Sequence, residues 1–180
     1  AGNVLLPITF VRGEPRGRPD KAVPGFVAGS RLTQIAEAGG FALPTQSIQY
    51  PFEAIGGKAA AVGHLNAFQD SDGGVRSEPL VLKYFDQYYP SLALMIAARS
   101  LNLGPADIKV RLGEEVRVGN LRIPTDEATL MSTFYYKDVA GRSVFQVDSF
   151  YDVLTGKIPA GKYAGKIVLI GATAVGVGTP

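Results

Sequence analysis

The chain has 180 residues, 46% hydrophobic and 19% charged, so it is long enough for a sizeable core and too apolar to remain disordered. It has no cysteine and one histidine, His64, which excludes disulfides, thiolate catalysis and metal sites built on cysteine or clustered histidine. The net charge of +2 comes from 18 basic and 16 acidic residues mixed along the chain, an unfavourable pattern for nucleic-acid binding.

Residues 3–11 are apolar without alternation and predict a strand covered on both faces of an α/β sheet. Residues 12–29 are rich in proline and glycine; the basic part, 12–21, has no aromatic residue to stack a base and reads as a solvated loop. The spacing predicts a short helix over 31–38, stopped by Gly39-Gly40, a brief strand over 41–43, and a helical turn over 51–55 with proline at its first position. Residues 61–68 read as a strand of small and apolar residues. Asp70, Asp72 and Gly73 close it in a turn, because aspartate bonds its own backbone and glycine accepts positive φ. Residues 80–85 and Tyr88-Tyr89 predict a hairpin that reverses at Asp86-Gln87. Ser91 stands where an N-cap belongs, ahead of a buried apolar helix over 92–101 that is stopped by Gly104-Pro105. That apolar run is far short of the ~18 residues of a membrane span.

Residues 108–123 alternate apolar and basic side chains, Ile108, Val110 and Leu112 against Lys109 and Arg111, then Val116 and Val118 about Arg117. With turns at 113–115 and 119–120 this is an antiparallel meander wet on one face. Further strands are expected over 130–137 and 143–147, and a short helix after the capping box Ser149 to Asp152. Residues 166–170, KIVLI, read as a second fully apolar strand belonging to the same sheet as the first. The fold class expected is therefore α/β: a mixed sheet with buried core strands, helices on its faces and an antiparallel meander.

Read together and in order, Gly63-His64-Leu65-Asn66, the Asp70 to Gly73 turn, Arg76, Tyr89-Pro90-Ser91-Leu92-Ala93, Ile123-Pro124-Thr125-Asp126, residues 149–156 and residues 165–173 resemble the type-two CHASE sensory domain. The resemblance runs from about Asn3 to the end and implies one sensory domain over 1–180 that lacks the family's N-terminal portion. It departs from the family pattern at 134–142. It further implies an extracytoplasmic, non-catalytic signal-input domain of a bacterial membrane receptor such as a histidine kinase, nucleotide cyclase, diguanylate cyclase or serine/threonine kinase. The implied partners are a small-molecule or protein signal, transmembrane helices and a cytoplasmic effector of the same chain, and a second copy in a homodimer, with no nucleic acid and no cofactor. Candidate ligand-binding residues are His64, Asn66, Arg76, Tyr88 and Tyr135, and the signal is expected to leave through the glycines of the C-terminal stretch, Gly171 and Gly176.

Competing chemistries have weaker signals. Asp70 and Asp72 open like a calcium loop, but glycine comes too early and no acidic residue closes the loop, so no metal is expected. The glycine loop after Ile170 follows a strand-like run as a phosphate loop does, yet lacks the Lys-Ser/Thr pair, leaving a nucleotide- or small-molecule-binding enzyme domain as the alternative reading and a structural dimerisation module as a third. No catalytic residues are assigned.

Overall fold

The computed structural model describes residues 3–19, 21–137 and 144–172. The chain forms two compact units, residues 1–134 and residues 135–180. The mixed α/β class read from the sequence is the class observed.

The first unit contains β1 (Leu5–Arg12), α1 (Gly25–Ala28), β2 (Gln34–Glu37), β3 (Leu43–Gln49), α2 (Glu53–Gly56), β4 (Ala61–His64), β5 (Ser77–Pro79), β6 (Val81–Tyr84), β7 (Gln87–Pro90), α3 (Leu92–Ser100), β8 (Ile108–Leu112), β9 (Glu115–Val118), β10 (Leu121–Pro124) and β11 (Leu130–Ser132). Five strands form a mixed sheet in the order β4-β1-β3-β6-β7. A single parallel bridge from His64 to Ser91 brings its outer strands together, so the sheet curls round on itself.

Strand alternation divides the core in two. Ile8, Phe10, Val62, Leu82, Tyr84 and Tyr89 fill the inside of the curled sheet. Ala61 and Val81, one residue out of phase, point the other way, into a second core shared with Leu94, Met95 and Ala98 of α3 and with Ile108, Val110, Val116 and Val118. β4 is buried at every position because both of its faces are covered. β1 is covered on both faces only at its start; from Pro7 onward it alternates, with Ile8 and Phe10 buried and Val11 exposed, a wetter strand than its unbroken apolar run implies.

α3 is fixed by a side-chain cap at its start and by backbone hydrogen bonds at its end. The Ser91 hydroxyl accepts from the Leu94 N–H at 3.1 Å. Asn102 takes the left-handed conformation (φ 59), and the N–H groups of Leu103 and Asn102 return to the carbonyls of Ala98 and Arg99. That double return stops the helix before Gly104 is reached. Only one face, Leu94, Met95 and Ala98, is fully buried. β4 runs directly beneath its first turn, and a Cβ on Gly63 would lie 2.6 Å from the Leu92 Cα.

The meander is β8-β9-β10, extended by β2 to give a four-stranded sheet in the order β10-β9-β8-β2. β2 replaces the helix expected over 31–38. Residues 34–37 pair in parallel with 109–112, a distant ladder that outweighs local helix preference. The strand expected over 130–137 is limited to β11, which pairs with β5.

The second unit holds α4 (Phe150–Leu154), capped by the Ser149 hydroxyl, and a 3₁₀ turn, Ala160–Tyr163. Asp148 accepts from Lys162 Nζ and the Tyr163 hydroxyl at 2.8 Å each. Residues 144–147 form no strand, while Ser143 lies outside the described residues. The strand expected over 166–170 is absent as well: Ile167, Val168, Leu169 and Ile170 are exposed by 48–78%. Apolar composition is not sufficient, because a strand exists only where a neighbour completes its backbone hydrogen bonds.

Candidate functional site

Within the first unit, the sequence-predicted binding residues His64, Asn66, Arg76 and Tyr88 do not converge on one pocket. His64 ends β4 inside the curled sheet, 1% exposed, its ring 6.2 Å from that of Phe10 in an edge-on contact. Neither ring nitrogen has a hydrogen-bond partner, and burial lowers its pKa to about 3. Two residues on, Asn66 works as a piece of backbone. Its Oδ1 accepts from the Phe10 N–H at 2.9 Å and its Nδ2 donates to the Phe10 carbonyl at 2.6 Å, prolonging the β1–β4 ladder past the end of β4.

Arg76 clamps the acidic turn. One Nη donates to Asp70 and Asp72 at 2.8 Å each, and the other donates to Asp72 at 2.7 Å. Gly73 sits at φ 81, its N–H donates to the Asp70 carbonyl, and the Gly74 N–H donates to the Asp72 carboxylate. The Arg76 guanidinium first, and then the Gly74 N–H, bring the Asp72 pKa down to about 2. Tyr88 lies on β7, half-buried, with Lys83 Nζ 5.8 Å from its ring centre and its carbonyl accepting from the Leu32 N–H. Tyr135 belongs to the second unit and is 72% exposed. Gly171 is exposed, with open space where a side chain would stand; Gly176 and most of the glycine loop lie outside the described residues. Among the described residues no group of three His, Cys, Asp or Glu side chains is arranged to hold a metal.

A different constellation stands on the outer face of the four-stranded sheet. Alternation in the meander buries Ile108, Val110, Leu112, Val116 and Val118 and turns Lys109, Arg111, Arg117 and Arg122 outward. The register sets Lys109 opposite Arg117 and Arg117 opposite Arg122. Glu115, 2% exposed, accepts from Arg117 Nε at 2.6 Å and also from Arg122 Nε. Hydrogen bonding from Arg117, then Arg122, holds the Glu115 carboxyl below the usual carboxylate range despite its burial. Arg111 pairs separately with Glu114 at 2.9 Å. The alternating basic residues were visible in the sequence, but their convergence required the strand register.

This is a mixed α/β module that carries a charged constellation on an exposed sheet face. The CHASE2 domain model matches residues 4–179, and the chain belongs to that family. CHASE2 domains are extracytoplasmic sensory domains of bacterial membrane receptors. No curated protein and no solved structure matches the chain. No helix among the described residues is long and apolar enough to cross a membrane.

Proposed function

We propose that this chain is the signal-input domain of a bacterial membrane receptor, held outside the cytoplasm and coupled through transmembrane helices to an effector of the same protein: a histidine kinase, a nucleotide or diguanylate cyclase, or a serine/threonine kinase. The observation that carries this reading is the family match across residues 4–179. The domain's task is to bind a signal and bias the effector, which requires that the signal prefer one of two arrangements of the domain. The stretch beginning at Gly171 is the exit: it follows residues 166–170, which past the 3₁₀ turn Ala160–Tyr163 form no strand or helix.

The test is made in the intact receptor. Deleting this chain's residues should fix effector output at one level, and Gly171→Val should alter output while ligand affinity stays within about a few-fold, because coupling and binding are separable free energies. A deletion that leaves signal-dependent output intact removes the sensory reading. Normal output from Gly171→Val removes the exit assignment alone.

A further inference from the structure

We propose that the outer face of the β10-β9-β8-β2 sheet binds a small soluble oxyanion, a carboxylate or phosphate compound, through Lys109, Arg117 and Arg122. This deepens the sensory reading above and rests on it. Like charges set directly opposite on neighbouring strands destabilise a sheet, yet three cations stand in one row across β8, β9 and β10. At about 4.8 Å between strands the row is about 10 Å long, which suits one or two oxyanion groups.

The one buried carboxylate beside the row, Glu115, does not neutralise it. Glu115 receives only the Nε of each arginine, so both guanidiniums are held by one edge. Among the described residues their terminal Nη groups make no hydrogen bond, and the two side chains remain 53% and 68% exposed. Lys109 has no hydrogen-bond or ion-pair partner among the described residues. Three cations therefore face one carboxylate, with the arginine forks held in place before any ligand arrives. Planar N–H forks of this kind suit two-point recognition of carboxylate or phosphate. A shallow depression beside the row, lined by Thr33, Gln34, Lys109, Arg111, Glu115 and Arg117, gives a small molecule a seat. The lining carries no aromatic residue on which a nucleic-acid base could stack.

The test titrates the 180-residue chain with inorganic phosphate and, separately, citrate, at ionic strength held constant with potassium chloride, followed by amide NMR. Saturable shifts confined to residues 33–36, 108–118 and 121–124, at least about tenfold weaker in Lys109→Glu, support the site. The variant sets a carboxylate opposite Arg117, so its melting temperature should hold or rise, and loss of binding would not reflect unfolding. Absence of saturation with both anions, unchanged binding by Lys109→Glu, or shifts centred elsewhere overturns the proposal. So does attachment to phosphatidylglycerol vesicles without binding of either soluble anion. In the intact receptor, an anion response lost in Lys109→Glu supports the site. Normal response by Lys109→Glu beside loss of output on deleting the chain overturns the site and leaves the sensory reading standing; unchanged output in both overturns the two together.

Discussion

His64 is a buried imidazole with no hydrogen-bond partner on either nitrogen. The unfolded chain takes up a proton on this imidazole near pH 6.5, whereas the folded chain resists it down to about 3. The folded pKa is the depressed one, so stability is whole above pH 6.5 and is lost as pH falls toward about 3. The slope reaches about 1.4 kcal/mol per pH unit. As His64 is the only histidine, and the Asp72 and Glu115 carboxyls are held below the usual carboxylate range, urea unfolding between about pH 6.5 and 5 isolates it. His64→Leu should flatten that slope and raise stability throughout, because it removes two buried nitrogens without partners. An equal slope in the variant would contradict the assignment. For Asp70 and Asp72, whose carboxylates are already occupied by Arg76, added Ca²⁺ should leave the melting temperature unmoved. A calcium site at a hundredfold its Kd would instead contribute about 2.7 kcal/mol.

The contact where β4 meets α3 is close. Gly63→Ala drives a methyl against the Leu92 backbone and should cost about 1–3 kcal/mol, read as a lower urea midpoint with unchanged slope. A midpoint equal to that of the parent chain would mean that the two elements are not so tightly pressed. Leu169→Asp probes residues 166–170 in the opposite sense. With Leu169 77% exposed, the variant should stay soluble and melt with the parent, whereas a covered strand would not tolerate the charge. Elements with a complete local signal were legible beforehand: the Ser91 and Ser149 caps, the Asp86 reversal and the period-two meander all depend on residues a few positions apart. β2 was not, because its partner β8 lies more than seventy residues away. Neither was the apolar run at 166–170, whose composition is that of a buried strand and whose surroundings are not. The candidate site was legible only as a list of basic residues, since opposing Lys109, Arg117 and Arg122 requires the register of three strands.

On the scale of the whole molecule, the two units differ in kind. The first holds both cores, whereas among the described residues of the second none is buried. Amide exchange should therefore be slowest in β4, β6, β8 and β9 and close to unprotected over residues 150–163, since protection follows burial and local contact. Equal protection in both units would show that the second has a core of its own. Within the first unit, the curled sheet is joined by one bridge, His64 to Ser91, where a full barrel would have a ladder. It is in effect a split ring. A closed barrel changes girth only by shearing its register or breaking a row of bonds, but a split ring changes girth at its gap. Ser91 sits in that gap and is also the first link of α3, so the helix and the circumference of the ring share one hinge pin.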